Sequence, residues 1–516
     1  MQKEIAAPFD TARRARPENM IEALGALDGR KAAFRVHAKG SRWEPLQGQR
    51  PHGPPLRPSD FAVTATHDLR RDRMRLSWTR HFIDPLTATV TYDEIVAGDA
   101  GHISGADVAL HPSAARPMPP DRLAAIRRQQ HLLHPQLLIG AALRLEQQTG
   151  RETLRRAGRE AIDGRPHDIV EIEAYPRPIR LFFDRGSLHL AALATWENDH
   201  PRGDVLVEVR FEGWQVHDGL AIPRLAELRL DGATVHREMR AEVAVAPPLD
   251  DADFLVEDVE GEPGPPFDAA RAARGLANAQ WIHRALAMGA PISLDAGPVE
   301  PAEIVPGVMT LGGGIHHSMA IAHDGGIVVI DAPQHEDRSR AVIDTILSRW
   351  PGRPITHLVL THHHHDHSGG IRAFAALGAE LVVAEGDREF VARCLAAPHT
   401  ILPDSLAASG TRAEIVTVGD APLALAGGAV AVHRISSPHC AEDLVVHVPR
   451  ARLLFNADLF NPGLVPRGKT PPPHWLEFSR DFRRKIEALD LDIDLLVGAH
   501  GAPEGRPWQS LIDFTE

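Results

Sequence analysis

THHHHDHSGG, residues 361–370, decides how this chain is to be read. Four histidines in a row look like a purification tag, yet these lie inside a 516-residue chain, with an aspartate and a fifth histidine directly after them. The stretch begins where ITHLVLT (355–361) ends, an apolar run whose pattern predicts a buried strand. In extended backbone alternate side chains share a face, so His362 and His364 point one way and His363 and His365 the other. Asp366 and His367 fall where the chain turns, and Gly369 and Gly370 permit a tight passage into the next helix. The spacing H-x-H-x-D-H lets two imidazoles share one metal ion while the carboxylate and the last imidazole serve a second. The competing reading is a solvated polar loop, which short motifs often turn out to be.

Further ligand types follow at the ends of later apolar runs. His439 stands in SSPHCAEDLVVHV, Asp458 closes RLLFNAD, and His500 closes LLVGAH before Gly501. An aspartate has little structural reason to terminate so apolar a strand. In this order and context the second half of the chain resembles the metallo-β-lactamase fold superfamily over roughly residues 300–505. THHHHDH matches its leading signature, PHCAEDLVVHVPRARLLFNAD resembles the segment with its third histidine and bridging aspartate, and GAHG resembles its last ligand motif. The resemblance implies an αββα sandwich with a first metal on His362, His364 and His439. It implies a second metal on Asp366, His367 and His500, with Asp458 bridging the two. Asp331, in VVIDAP, matches an aspartate that lies beneath such sites without binding metal. Asp366 and Asp458 are then the catalytic carboxylates.

Imidazole and carboxylate ligands without thiolate suit two zinc ions, with iron or manganese as alternatives. Water between them is acidified toward a pKa of ~7 and attacks an electrophilic centre, so no serine or cysteine nucleophile is needed. Cys440 follows His439 on the opposite strand face and reads as a bystander, while Cys394 reads as core. His316 and His317, in LGGGIHHSMAIAHDGG, are read either as substrate contacts or proton shuttles, or as a partly exposed turn pair. His363 and His365 are expected behind the ligands or at the surface; His323, His335 and His399 carry no functional reading.

Outward from this region the texture changes. Residues 300–516 alternate β-branched runs with helical patterns, which makes sheets covered by helices. Residues 1–246 carry mostly period-two segments. DFAVTATHDLRRDRMRLSWTRHF reads as a hairpin after the Pro/Gly-rich loop QGQRPHGPPLRPS, and 120–160 reads as helical with a break at His134–Pro135. The fold class expected is therefore α+β / α/β: an N-terminal antiparallel sheet wrapped around a helical insert, then the catalytic sandwich. Residues 247–299 read as an acidic Pro/Gly-rich linker with a connecting helix, and 1–30 as a helical lead-in. The N-terminal part is weakly similar to the half-barrel of lipoprotein carriers; covering the site mouth or dimerising as a homodimer are the other roles considered. Trp43, Trp78, Trp196 and Trp214 are read as core packing, with the lining of an apolar groove as the alternative.

Composition narrows the chemistry. With 43% apolar and 24% charged residues the chain has the material for sizeable cores, and at ~100–200 residues per domain it holds more than one. A net charge of −13 argues against a nucleic-acid partner. Two cysteines make no disulfide framework. No run approaches the ~18 apolar residues of a membrane span. The compartment stays open: cytoplasmic as written, periplasmic or secreted if a leader was removed. The leading expectation is a dinuclear zinc hydrolase that cleaves a carboxylic ester or lactone in a small, rather apolar molecule. β-Lactam hydrolysis and a non-catalytic metal-holding carrier or sensor are the alternatives. Nuclease, alkyl-sulfatase, glyoxalase-type thioesterase and flavodiiron architectures are expected to be absent.

Overall fold

A computed structural model describes residue 24, residues 33–83, 87–106, 112–173 and 177–255, the positions 274, 277, 278, 280 and 281, and residues 297–461, 471 and 473–516. The lead-in expected over 1–30 and most of the linker and connecting helix expected over 247–299 lie outside these residues.

The alternating N-terminal segments form one sheet of thirteen antiparallel strands, from Ala33–Glu44 to Ala233–Val245. It is two meanders joined in the middle, because the first strand pairs with both the second, Leu56–Asp68, and the last. Period two puts Phe34, Val36 and Ala38 on one face, where they meet Val63, Ala65, Leu76 and Trp78. The helical insert covers that face. Helix Pro120–Leu133 adds Leu123 and Ile126 to this cluster, and Pro135–Thr149 adds Leu138, Ile139 and Ala142 to a neighbouring one. Each such buried leucine or isoleucine stabilises by about 1.5–3 kcal/mol, which fixes the insert on the sheet. Pro135 at the first turn separates the two helices, since its ring forbids the continuing hydrogen bond. The helical expectation over 120–160 is too long: Gly150, at φ +68, caps the second helix, and Leu154–Ile162 is a strand. Trp78 is buried and its Nε1–H donates to Glu94, and Trp214 packs against the core. Trp196 is not core, being 48% exposed on its strand.

The second half is built in four layers. A seven-stranded sheet runs from Glu300–Val305 to Ile415–Val418, and a six-stranded sheet from Leu423–Leu425 to Arg506–Pro507. Val328, Ile330, Val359 and Val382 of the first sheet meet Val432, Leu444, Val446 and Phe455 of the second in an apolar core. Helices Glu336–Arg349, Ile371–Ala376 and Arg388–Ala396 cover the outside of the first sheet. Helices Pro473–Ala488 and Trp508–Thr515 cover the second. This is the expected αββα sandwich after an antiparallel-sheet domain. Among the described residues no helix is long and apolar enough to cross a membrane.

Strand direction positions the site. Gly326–Ile330 and Ile355–Val359 run parallel, as do Leu453–Phe455 and Leu495–Val497. Asp331, the 361–367 stretch, Asp458 and His500 each follow one of these strands, and His439 lies in the loop between Val430–Ile435 and Asp443–Val448. All therefore emerge at one end of the sandwich.

Candidate metal centre

The chain leaves Ile355–Val359 in extended form and re-enters helix only at His365. His362 and His364 fall on one side, their rings 4.5 Å apart in an edge-on arrangement. Gly369 and Gly370 follow with φ of −57° and −106°, angles open to any residue. What requires glycine is proximity: a Cβ at Gly369 would sit 1.9 Å from the Gln334 carbonyl oxygen, and one at Gly370 would sit 1.9 Å from the Ser339 hydroxyl.

Two groups of ligand types converge. His362, His364, His439 and Asp458 present atoms that all lie within 4.8 Å of one another, and so do Asp366, His367, Asp458 and His500. Asp458 belongs to both. Its Oδ1 is 3.2 Å from His367 Nε2 and 3.4 Å from His500 Nε2, and its Oδ2 is 3.3 Å from His439 Nε2. Asp366 Oδ2 lies 3.3 Å from His500 Nε2 and 3.6 Å from His367 Nε2.

Around this centre the chain fixes which ring nitrogen is free. His367 Nδ1–H donates to Asp331 Oδ2 at 2.8 Å, and His500 Nδ1–H donates to the Ile315 carbonyl at 2.5 Å. His364 Nε2–H donates to the Gly48 carbonyl at 3.0 Å. His362 Nδ1 sits 3.1 Å from Thr361 Oγ1 and 3.7 Å from Asp443 Oδ1. The opposite nitrogens, His362 Nε2, His364 Nδ1 and His367 Nε2, are buried and make no hydrogen bond, and neither does Asp458 Oδ1. Burying such groups unpaired costs about 1–3 kcal/mol each. A cation at the convergence point satisfies them together, so the donor set fits one or two divalent metals with nitrogen and oxygen preferences.

The electrostatics agree. Burial opposes protonation of His367, yet Asp458, Asp366 and Asp331 hold its imidazole well above the usual histidine range. His500, also opposed by burial, is raised to about 10 by Asp458 and Asp366. This end of the site collects positive charge. His362 and His364 behave oppositely, burial and the neighbouring imidazoles keeping both neutral. Neutral imidazole is the form that binds metal.

Asp331 is the floor. It has φ +62, a conformation rare outside glycine, and accepts from the Thr361 amide at 2.8 Å, from the Thr361 hydroxyl at 2.9 Å and from His367. His316 is fully buried, with Nε2 3.1 Å from His367 Nδ1 and 3.5 Å from Asp331 Oδ2. His317 donates from Nε2 to the Gly501 carbonyl at 2.8 Å, and its amide donates to the Ala499 carbonyl. Both therefore back the His500 and His367 segments and are buried, a correction to the partly exposed turn considered from the sequence. The hairpin pattern alone did not reveal that LGGGIHH folds inward against GAHG. His363 is buried with Nδ1 3.5 Å from Cys440 Sγ, and His365 stacks on Trp281 at 4.8 Å; neither is at the surface.

Sequence reasoning missed Asp443, Trp281 and the segment around Gln47 and Gly48. Asp443 opens a wholly buried strand, an aspartate against an apolar run that could have marked it, and Ser437 donates a hydrogen bond to it. Gln47 Nε2–H donates to Asp366 Oδ1 at 2.9 Å from the other domain, for which no local signal exists.

Residues 311–500 match the family model described as the metallo-beta-lactamase superfamily. Residues 311–500 therefore form a metallo-beta-lactamase domain. The metallo-beta-lactamase domain is also similar to the solved metallo-beta-lactamase of Hirschia baltica, with 17% identity, coverage of 42% of this chain and 96% of that one, and a TM-score of 0.32. The metallo-beta-lactamase from Pontibacter korlensis gives 20% identity, coverage of 42% and 96%, and a TM-score of 0.30. Among curated proteins, the 2,4-dinitroanisole O-demethylase subunit alpha of a Nocardioides species is 26% identical over 193 residues, 37% of this chain. The match spans only 55% of that relative's length.

Proposed function

We propose that this chain is a dinuclear zinc hydrolase that cleaves an ester-type bond, a carboxylic ester or lactone, in a small and rather apolar substrate. The observation that carries the reading is the convergence of buried, unsatisfied imidazole nitrogens on a carboxylate shared by two ligand groups. His362, His364 and His439 would hold one metal, Asp366, His367 and His500 the other, with Asp458 between. Bound there, the metals would supply Lewis acidity toward water and the substrate carbonyl.

The chain's own part is to present and to orient. Asp331, Ile315 and Gly48 keep the protons of His367, His500 and His364 on the nitrogens that face away from the centre. Asp366 and Asp458 concentrate negative charge where positive charge must be held. Asp366, with Oδ1 held by Gln47, keeps Oδ2 turned to the centre, placed to orient an attacking water. His439 is the most open of the side chains contacting Asp458, and the Phe478 ring lies 6.4 Å from it. An aromatic ring beside this more open ligand suits an apolar substrate.

A second reading has its own support. The Nocardioides relative is named for O-demethylation of 2,4-dinitroanisole. Hydrolysis of an activated aryl ether would use the same site on a different C–O bond.

Elemental analysis of untagged protein, with turnover of chromogenic esters, lactones, a cephalosporin and an electron-poor anisole, tests both readings. Turnover lost to chelator and restored by zinc supports the hydrolase, and the responding substrate names the bond. Metal-loaded protein inert on the whole panel overturns it in favour of a non-catalytic holder.

A further inference from the structure

The N-terminal domain reaches the metal centre through one short segment, and the contacts are specific. After the strand Ala33–Glu44 the chain passes through a single 3-10 turn, Pro45–Gln47, and then runs extended at Gly48. Leu46 is 2% exposed and is anchored in the outer core of the metallo-beta-lactamase domain, among residues of the first sheet and its covering helices. Three consecutive residues then engage three parts of the site. Gln47 Nε2–H donates to Asp366 Oδ1 at 2.9 Å. The Gly48 carbonyl accepts from His364 Nε2–H at 3.0 Å. Gln49 accepts the Ala441 amide on its carbonyl at 3.0 Å and donates its side-chain amide to the Pro438 carbonyl at 2.9 Å, so it grips the loop that carries His439 from both sides.

We propose that Leu46–Gln49 is a positioning strap for the metal centre, with Gln47 and Gln49 as residues that set the two halves of the site separately. This rests on the metal-site reading above and adds a task for the N-terminal domain. Gln47 acts on the Asp366, His367 and His500 half: by occupying Asp366 Oδ1 it fixes the carboxylate plane and leaves Oδ2 toward His500. Gln49 acts on the other half through the His439 loop, while the Gly48 carbonyl assigns the His364 tautomer. Outer partners of this kind hold ligand orientation and are worth about 10–100-fold in metal affinity. The strap has little freedom to do otherwise. Pro45 fixes its entry, Leu46 anchors it, and a Cβ at Gly48 would sit 2.6 Å from the Pro54 carbonyl oxygen.

The test uses the full chain and reads metal directly. Zinc affinities at both sites are measured by chelator competition, and the visible spectrum is recorded with cobalt loaded in place of zinc. Gln47→Leu keeps the side chain's size and removes its donor. The expected result is about 10–100-fold weaker binding at one site, with a changed cobalt spectrum and an unchanged thermal midpoint of the metal-free protein. Gln49→Ala is expected to weaken the other site instead, so that the double variant loses both. If Gln47→Leu does not fold, Gln47→Met replaces it; it keeps the length, adds no charge and likewise removes the donor to Asp366, so the same change in affinity and spectrum is expected. Wild-type affinities and spectra in the glutamine variants overturn the strap. Wild-type protein that takes up no divalent metal overturns the metal-site reading and the strap with it. Wild-type protein that binds two metals but hydrolyses nothing removes only the proposed reaction and leaves the strap's test intact.

Discussion

Asp331 and His367 meet at 2.8 Å beneath the metal centre, from positions 36 residues apart, and that one bond decides which face of the imidazole the centre sees. The carboxylate is held by the Thr361 amide and hydroxyl, so it cannot turn away when the ring is pulled toward a cation. Asp331→Asn keeps the shape but presents a mixed donor and acceptor to His367. Metal affinity of the Asp366, His367 and His500 group should fall about 10–100-fold, with little loss at the other group. Stepwise competition with a chromogenic chelator reads the two steps apart. Equal weakening of both would contradict the separation of the site into two halves.

Asp458 touches His367, His439 and His500, so its loss should act on both groups at once. Asp458→Ala is expected to empty the site and reduce turnover to background, and His364→Ala to do the same at its own group. His363→Ala is the control from the next position in the chain. Its ring packs by Cys440 and 5.9 Å from Phe390, so truncation leaves a cavity costing on the order of 2–5 kcal/mol. Stability should fall while metal content per folded molecule stays at the wild-type level. Loss of metal from the His363 variant, measured on the folded fraction, would overturn the assignment of faces.

Metal binding should release protons. His500, raised to about 10, and His367, held well above the usual range, are both protonated near neutral pH in metal-free protein. A metal must displace those protons, so affinity should rise with pH up to about 10. Calorimetry in buffers of different ionisation enthalpy should show protons leaving as zinc enters. The sign for folding is opposite. In metal-free protein these raised values contribute stability that is complete below about 6.5 and is lost as pH rises through about 10. Denaturant midpoints of chelated protein should therefore decline over that window. A chelated protein that gains stability on going alkaline would refute the charge assignment at this end of the site.

How much of this was legible depended on the range of the signal. Ligand types at strand ends announce themselves locally, because a polar residue after RLLFNA or LLVGA breaks an apolar run that has no other reason to stop. The alternation of DFAVTATHD and RMRLSWTRHF likewise carries its hairpin within a few residues. What locality does not encode is which distant elements meet. Nothing in FRVHAKGSRW shows that it pairs with the last strand of its domain and so joins two meanders into one sheet. Gln47 and Asp366 are 319 positions apart, and the Pro/Gly-rich loop beside Gln47 reads only as a loop. His316 failed for the same reason: a histidine in a glycine-rich hairpin looks exposed until GAHG is folded against it. Trp281 sits in a helical stretch whose pattern does not reveal that its ring will stack on His365.

The N-terminal domain carries a second, acid-sensitive feature away from the metals. His67 and His134 lie 4.8 Å apart beside Phe34, both buried, and neither nitrogen of His67 makes a hydrogen bond. Burial, reinforced by Arg240, lowers His67 to about 3, and burial with Arg240 and His67 holds His134 well below the usual histidine range. Both are neutral in the folded state. The unfolded chain takes up their protons below about 6.5, so each contribution is intact above that pH and is lost as pH falls toward about 3. One such group tilts stability by about 1.4 kcal/mol per pH unit within the window. His67→Leu keeps comparable volume and removes one titrating group. Its acid-unfolding midpoint should move to lower pH, with stability near pH 8 unchanged or higher because an unsatisfied polar ring has been replaced. Urea denaturation at several pH values between 8 and 4 measures both. Parallel curves for the variant and the parent would show that His67 is already charged in the fold.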